Sequence, residues 1–408
     1  MILDPKTEVA NILTWLESLR VPGKNHCYRF TGNSEDVIFC SCFALFILDL
    51  FKETDKFTAQ QKQSWIDYIQ SFQNRQTGYF EPANYYLKDK ERNSYQLTCF
   101  CLSALGILNA APLYPLLFIE QWKTPEHIKK FLIERGCDKG LPGSGNKAMF
   151  QAVFLTYEYE RTGDTQLLKK IDAWFEFHDQ HQNRNGFWGK DLRSHYLYGM
   201  QNAFHQLEIY FYWKRKVPNL KKIIDITLNC QDVAGFFAPT PGGEACYDYD
   251  AIHILTTAYN MIDYNRSRIK VSLAKAAKAI AGNQNPDGGF CQSKAKMENT
   301  LDFMKQIPFC LYSRLPYLWY FRSKTNIGVL LKKRYRIHTG WTKDSRTWHE
   351  SNLWDTWFRS LALAQISCIL NDKVSTDFNF HKTIGLGHFI GQKTHISFYV
   401  NNTFDTGK

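Results

Sequence analysis

A short motif recurs along this chain and constrains its fold more than any other feature. In each copy an amphipathic stretch ends near a glutamine, and a glycine and an aromatic residue follow a few positions later. The four copies are Gln73-Gly78-Phe80, Gln182-Gly186-Trp188, Gln231-Gly235-Phe237 and Gln284-Gly289-Phe290. Their glycines are 108, 49 and 54 residues apart, so the first gap holds one degenerate copy, which we assign to 140–146. An earlier copy is assigned to 26–30. A regular spacing of this kind indicates repeated supersecondary units.

A second helix follows each motif, and it is apolar on most of its faces. The six segments are 36–50, 95–108, 147–159, 196–213, 247–263 and 351–370. A helix that is apolar almost all round belongs in the interior. The stretches before the motifs, such as 60–72 and 267–281, carry charge on one stripe and belong outside, and the amphipathic start 1–20 supplies the last outer helix. We therefore predict an all-α fold, a single (α/α)6 toroid of about six helical hairpins with minor terminal extensions.

The rest of the chain is interpreted as additions to this ring. Residues 1–371 form the toroid domain, and 372–408 form a C-terminal extension packed on the outside of the toroid. The segment 291–340 is a long insertion before the sixth inner helix. Strand signals are sparse, and the best is 395–400, so small terminal strands do not change the fold class.

The composition favours a well-buried globular protein, since 44% of residues are hydrophobic, 15% aromatic and 22% charged. The formal net charge of +11 favours anionic partners. No nucleic-acid module or concentrated basic face is found, so we expect no nucleic-acid partner. The most apolar run, 37–51, is interrupted by Asp49 and is too short for a membrane span, although peripheral membrane contact stays open. A polar start without a secretory signal predicts a cytoplasmic protein with reduced cysteines.

Two runs carry a resemblance to a known superfamily. The runs 182–188 (Gln-Asn-Arg-Asn-Gly-Phe-Trp) and 284–290 (Gln-Asn-Pro-Asp-Gly-Gly-Phe) resemble the repeats of the prenyltransferase and squalene-cyclase superfamily. The run 352–359 (Asn-Leu-Trp-Asp-Thr-Trp-Phe-Arg) is similar to a bacterial branch of toroid proteins. The first resemblance implies an α/α toroid and an isoprenoid substrate, while the second implies no particular activity.

An acidic run at the start of the fifth inner helix is the most suggestive chemical feature. Residues 248–251 (Asp-Tyr-Asp-Ala) resemble the Asp-x-Asp-Asp motif of class II terpene cyclases, with Ala251 in the place of the last aspartate. The resemblance implies that Asp250 is a general acid that protonates an alkene or epoxide and that Asp248 is its neighbour. Burial and like charge raise a carboxyl pKa, as this chemistry requires. The alternative is that both acids cap the helix. Tyr247 and Tyr249 flank them as candidate substrate contacts.

Two further groups of candidates lie on other inner helices. At the sixth, Glu350 and His349 are candidates for tuning the acid, and Trp354 and Arg359 for contacting substrate. Asp355 and Arg359 are one turn apart, so a structural ion pair is the alternative for that arginine. On the fourth, Tyr198, Asn202 and His205 share one side and indicate a wet cavity. Because inner helices begin at one rim, we expect these groups to converge with Asp250.

Three functions stay open at this point. The first is a terpene-cyclase-like enzyme that acts on a small isoprenoid in the toroid cavity. The second is a carbohydrate-active (α/α)6 enzyme that acts on an acidic oligosaccharide or polysaccharide, and the third is a noncatalytic scaffold. We expect no cofactor. Single-toroid protein prenyltransferases hold zinc, so the alternative implied by that resemblance is zinc bound by Cys246, Asp248 and His349.

Overall fold

The computed structural model describes residues 8–82, 90–296, 299–311, 315, 318–331, 336–337, 341–343, 346–371, 377–386 and 394–395. The α-helices in these ranges are α1 (Glu8–Ser18), α2 (Ile38–Leu50), α3 (Ala59–Gln70), α4 (Lys90–Ile107), α5 (Pro125–Glu134), α6 (Ser144–Thr162), α7 (Thr165–Gln180), α8 (Leu197–Tyr212), α9 (Leu220–Asn229), α10 (Ala245–Met261), α11 (Arg266–Ala281), α12 (Thr300–Leu311), α13 (Leu318–Leu331) and α14 (Leu353–Leu370). Strands β1 (Arg336–Ile337) and β2 (Arg346–Thr347) pair antiparallel, and β3 (His381–Lys382) and β4 (Thr394–His395) pair parallel.

Six helices form a closed inner ring. Helices α2, α4, α6, α8, α10 and α14 each contact the next, and α14 closes the ring against α2. The outer layer consists of α1, α3, α5, α7, α9 and α11. Burial follows the sequence pattern, because every residue of α2 except Leu48 is buried, whereas α3 buries only Trp65 and Ile69. The predicted (α/α)6 toroid is confirmed, and α1 is its last outer helix.

The repeated glutamine joins neighbouring hairpins. The Gln182 side-chain amide donates to the carbonyl of Gly186 in its own turn at 2.6 Å and to that of Pro218 at 2.8 Å. Gln231 likewise donates to Gly235 at 3.0 Å and to a carbonyl of α11 at 2.9 Å. Gly186 has φ of +89°, a conformation that glycine adopts readily. The motif is therefore a structural device that closes one turn and ties it to the next hairpin.

The insertion forms a helical hairpin on the rim of the ring. Helices α12 and α13 pack against each other. Phe321 of α13 contacts the ring of Tyr198 at 5.6 Å, and the buried Arg322 donates to the carbonyl of Cys230 at 2.6 Å. The hairpin therefore lies beside the amino-terminal end of α8 and the loop that precedes α10. Within the described ranges, no helix is long and apolar enough to cross a lipid bilayer.

The C-terminal segment that the structure describes before β4, residues 377–386, runs into the lumen of the ring, where we expected an extension packed on the outside. The Asn379 amide donates to the carbonyl of Leu50 at 3.0 Å. Further along, a Cβ added at Gly385 would lie 2.6 Å from Cys99 of α4, and Leu386 accepts a hydrogen bond from Tyr249 of α10. A ring of six helices encloses a lumen, and this apolar segment fills part of it. Of the strand predicted over 395–400, only residue 395 belongs to the described ranges.

Candidate functional site

A cavity of about 280 Å³ opens at the ends where the inner helices begin. Its aromatic lining is Phe100, Phe150, Phe204, Tyr247, Trp341, Trp354, Trp357 and Phe358. Its polar and ionisable lining is Arg92, Asn93, Gln96, Asn146, His205, Glu244, Cys246, Asp250, Gln292, Arg346 and Asp355. Met149, Gly385 and Leu386 complete the wall. Five of the inner helices, α4, α6, α8, α10 and α14, contribute lining residues.

Closely packed aromatic rings make one wall of the cavity. The Trp354 ring centroid lies 4.5 Å from that of Trp341 and 4.5 Å from that of Phe358. Trp357 lies 4.3 Å from Phe358 in the same cluster. Such a wall buries apolar ligand surface, and the ring faces also attract positive charge. Trp354, a predicted substrate contact, therefore lines the cavity.

Three acids, Glu244, Asp250 and Asp355, line this cavity. Asp355 pairs with Arg346 and Glu244 accepts a hydrogen bond from Thr240, whereas Asp250 has neither kind of contact within the described ranges. Asp250 is 3% exposed, and among the described residues nothing donates a hydrogen bond to its carboxyl group. Burial, followed by the charges of Glu208 and Glu244, raises the pKa of Asp250 well above its usual range. A carboxyl group in this environment retains its proton far more readily than one in water. Asp250 is thus a buried Brønsted acid at the edge of an aromatic cavity.

Asp248 has a different role from its neighbour. One of its oxygens accepts from the amides of Phe237 and Ala238 at 2.7 and 2.9 Å, and the other accepts from the Glu244 amide at 3.0 Å. Burial raises the pKa of Asp248 to about 6, while Arg359 and these amides lower it. The carboxylate therefore caps α10 and fixes the preceding loop, and it is not part of the cavity lining.

Arg359 is fully buried behind the cavity wall. Its Nε donates to the carbonyl of Cys291 at 3.0 Å, and its Nη1 lies 3.9 Å from an Asp248 carboxylate oxygen. The ion pair considered for Asp355 and Arg359 is not the one that forms, because Asp355 pairs with Arg346 at 3.1 Å. Arg359 thus joins α14 to α10, and the cavity lining does not include it.

His349 and Glu350 also lie outside the cavity lining. The Nδ1 of His349 hydrogen bonds to the carbonyl of Ser293 at 2.8 Å, and its Nε2 accepts from the Trp348 indole at 3.0 Å. Glu350 is partly exposed, and its backbone carbonyl accepts a hydrogen bond from Asn352 at 3.2 Å. Both residues belong to the turn that leads into α14.

Of the three candidates on α8, one lines the cavity and two contact neighbouring segments outside it. His205 lines the cavity, and burial, followed by the charge of Arg92, lowers its pKa to about 3. The Asn202 amide nitrogen instead donates to the carbonyl of Leu141 at 3.0 Å, which ties α8 to the loop before α6. Tyr198 faces the insertion hairpin. The imidazole of His205 is therefore neutral at physiological pH.

The two tyrosines beside the acids are likewise placed differently. Tyr247 lines the cavity next to the start of α10. Tyr249 is fully buried behind it, and its hydroxyl donates to the carbonyl of Leu386 at 3.3 Å. Tyr249 therefore holds the C-terminal segment in the lumen.

The sequence prediction missed several lining residues. Trp341 and Arg346 belong to the segment after the insertion hairpin, and Leu386 belongs to the C-terminal segment. No local sequence pattern predicts these three residues as part of the site, because they are far from Asp250 along the chain and approach it only in the folded ring. Arg92 could have been found, since α4 begins five residues before the predicted start and carries it into the first turn.

The three residues considered for zinc do not form a metal centre. Cys246 lines the cavity, but the Asp248 carboxylate is bound to backbone amides and the nitrogens of His349 are engaged as described above. In the part of the chain that the structure describes, no three His, Cys, Asp or Glu side chains are grouped to hold a metal ion.

The fold and the site together define an α/α-toroid protein with a buried acid in an aromatic cavity. The model of the prenyltransferase alpha-alpha toroid domain matches residues 19–147 and 156–299, and the chain belongs to this family. A comparison with curated proteins finds no match.

Solved structures share the fold at low sequence identity. A variant of the type II terpene cyclase MstE from Scytonema, in complex with geranylgeranyl dihydroxybenzoate, is 12% identical, with a TM-score of 0.48 over 90% of this chain and 98% of that chain. A possible GH105 family member from Salmonella enterica serovar Paratyphi A is 12% identical, with a TM-score of 0.40 over 82% and 96%. The GH76 α-mannanase from Bacteroides thetaiotaomicron is 11% identical, with a TM-score of 0.38 over 81% and 98%. These likenesses concern the fold alone.

Proposed function

We propose that this protein is a terpene-cyclase-like enzyme in which Asp250 protonates an isoprenoid substrate inside the toroid cavity. The observation that carries the proposal is the placement of Asp250, a buried carboxyl group that faces an aromatic cavity and has no hydrogen-bond donor among the described residues. Its raised pKa favours the protonated form that an acid catalyst needs. Resemblance to the terpene-cyclase motif supplies the substrate class.

The proposed first step transfers the Asp250 proton to a carbon of a terminal double bond. The O–H bond of the acid breaks and a C–H bond forms, which leaves the Asp250 carboxylate and a carbocation on the substrate. A second double bond of the same substrate then attacks the cationic carbon and closes a ring. The faces of Trp354 and Trp357 stabilise the positive charge while it moves. The final cation loses a proton and the Asp250 carboxylate regains one from solvent, so the acid is restored and the overall reaction is an isomerisation.

The surrounding residues are assigned supporting roles. Glu208 and Glu244 raise the proton affinity of Asp250 through their negative charge. His205 lines the same cavity as a neutral imidazole, so it is our candidate to accept the last proton. Asp248 is a positioning residue that holds the start of α10. No cofactor is required by this sequence of steps.

A second candidate function rests on the polar side of the cavity. Asn93, Gln96, Asn146 and Gln292 place four amide side chains along its wall, and amides beside tryptophan are suited to sugar hydroxyl groups. An (α/α)6 enzyme acting on an acidic oligosaccharide would use these amides with Arg92. A purely structural toroid would leave its acids in capping contacts, which describes Asp248 and not Asp250.

Binding and turnover experiments separate these functions. The purified protein is screened by thermal shift and native mass spectrometry against isoprenoid alcohols, isoprenoid diphosphates and acidic oligosaccharides. Stabilisation by isoprenoids, and a cyclised isomer of unchanged mass that Asp250→Asn no longer forms, are the expected results. Stabilisation by oligosaccharides alone would move the carbohydrate function to first place, and full isomerase activity of Asp250→Asn would reject the acid.

A further inference from the structure

The insertion hairpin, defined by α12 and α13, buries polar side chains and exposes large apolar ones. On α13 the buried residues are Leu318, Arg322, Asn326 and Val329, and the two polar ones are 3% exposed, whereas Ile327 and Leu331 are 42% and 75% exposed. A helix on a water-facing surface normally buries its apolar face and exposes its polar one. The outward face of α13 is therefore better suited to an apolar environment than to water.

The partner helix shows the same arrangement. On α12, Asp302 is 6% exposed, whereas Leu301, Met304 and Leu311 are between 57% and 61% exposed. Of the fourteen large hydrophobic side chains that are exposed in the described part of the chain, eight lie on these two helices. The exposed apolar side chains are thus concentrated on one hairpin, and a concentration of this kind marks a candidate interaction surface.

The buried polar side chains explain why the hairpin keeps this orientation. The Arg322 guanidinium donates to the carbonyl of Cys230, and the Asn326 amide donates to the carbonyl of Pro239 at 3.3 Å. Both acceptors belong to the region between α9 and α10. The polar face is fixed to the toroid by these hydrogen bonds, so the apolar face cannot turn inward.

The residues that accompany the apolar face indicate what covers it. Trp319 and Tyr320 are 49% and 46% exposed, and these two residue types are enriched where protein meets the headgroup layer of a bilayer. Lys296, Lys305 and Lys324 are exposed on or next to the same hairpin. Lysines around an apolar face fit an anionic lipid surface, whereas the face of a symmetric dimer would bring its own positive charges together.

We propose that the α12–α13 hairpin docks on an anionic membrane surface, with its apolar face inserted into the headgroup layer. The hairpin sits on the same rim as the cavity, and the chain that follows it supplies Trp341 and Arg346 to the cavity lining. Docking would therefore hold the cavity mouth close to the lipid. This proposal does not depend on the reaction at Asp250.

Vesicle flotation of the full chain tests the proposal. Vesicles of phosphatidylcholine alone are compared with vesicles that also contain phosphatidylglycerol. We expect binding to the anionic vesicles that weakens with added salt, and about tenfold weaker binding for Leu301→Ser combined with Trp319→Ser. The matched control is Val271→Ser on α11, a 71% exposed apolar residue away from the hairpin, and it should bind as the unaltered protein does.

A second pair of variants tests the charge contribution. Lys296→Glu combined with Lys324→Glu should weaken anionic vesicle binding, whereas Lys278→Glu on α11 should not. Circular dichroism establishes that each surface variant is folded. The proposal is overturned if the unaltered protein does not float with anionic vesicles, or if the hairpin variants float equally well. It is also overturned if sedimentation shows a dimer that Leu301→Ser with Trp319→Ser dissociates, since a second copy would then cover the face.

Discussion

Replacing the Asp250 carboxyl group by an amide tests whether the pKa of Asp250 is raised, and the test needs no substrate. Asp250→Asn removes one titratable proton and hardly changes the size of the side chain. In the folded protein the pKa of Asp250 is raised by burial and by neighbouring acids, whereas an unfolded chain has an aspartate pKa of about 3.9. Between these two pKa values the folded state binds one more proton than the unfolded state.

The sign and size of the effect follow from proton linkage. The stabilising contribution of Asp250 is fully present below the unfolded pKa and is lost as the pH rises toward the folded pKa. The free energy of unfolding of the unaltered protein therefore falls by about 1.4 kcal/mol per pH unit in this window from the Asp250 group alone. Asp250→Asn lacks this slope, so its stability relative to the unaltered protein grows with pH by the same amount.

Urea unfolding followed by circular dichroism, in buffers from acidic to mildly alkaline pH, measures this difference. Asp263→Asn is the control, because the Asp263 side chain is 93% exposed and its removal should leave the slope unchanged. Equal pH slopes for the unaltered protein and Asp250→Asn would show that the Asp250 pKa is ordinary and would refute the proposed acid. With a substrate in hand, the same variant should lose about a hundredfold to ten-thousandfold in rate.

Three further predictions concern the surroundings of the site. Arg359→Met leaves the Asp248 carboxylate buried without its cation, so it should lower the free energy of unfolding by about 3–5 kcal/mol, measured by thermal unfolding. A decrease of less than about 1 kcal/mol would contradict the pairing of Arg359 with Asp248. Gly189 has φ of +107°, and a Cβ added there would lie 2.3 Å from a backbone atom of Gly140, so Gly189→Ala should lower the free energy of unfolding by about 2–4 kcal/mol. Gly163→Ala, at φ of +70° with open space around it, should lower it by about 1 kcal/mol. Equal decreases in thermal unfolding would argue against the close approach of the Gly189 and Gly140 backbones. Leu386→Ala shortens a buried side chain in the cavity wall and should lower the free energy of unfolding by about 2–5 kcal/mol. The enlarged cavity should bind bulkier apolar ligands more strongly. An unchanged ligand preference in a thermal-shift screen would show that Leu386 does not limit the cavity.

The sequence could not show which of the two acids, Asp248 or Asp250, faces the cavity. Residues two apart on a helix point about 200° away from each other, so Asp248 and Asp250 cannot both face one cavity. The helical period separates them, but it does not say which one faces inward. That choice depends on the loop 237–244, whose amides take up the Asp248 carboxylate, and on Arg359, which lies 111 residues further along the chain.

The sequence by itself determined the ring. Glutamine and glycine motifs at regular spacing, and helices that are apolar on most faces, are local signals, and they specify how many hairpins form and which helix of each lies inside. The tertiary structure alone decided the contents of the ring. Trp341 and Arg346 reach the cavity from the segment after the insertion hairpin, and Leu386 reaches it from the C-terminal segment. Close packing requires that an enclosed lumen be filled, and these distant segments fill it. Local periodicity describes which side of a helix is buried, but it carries no information on which distant segment meets that side.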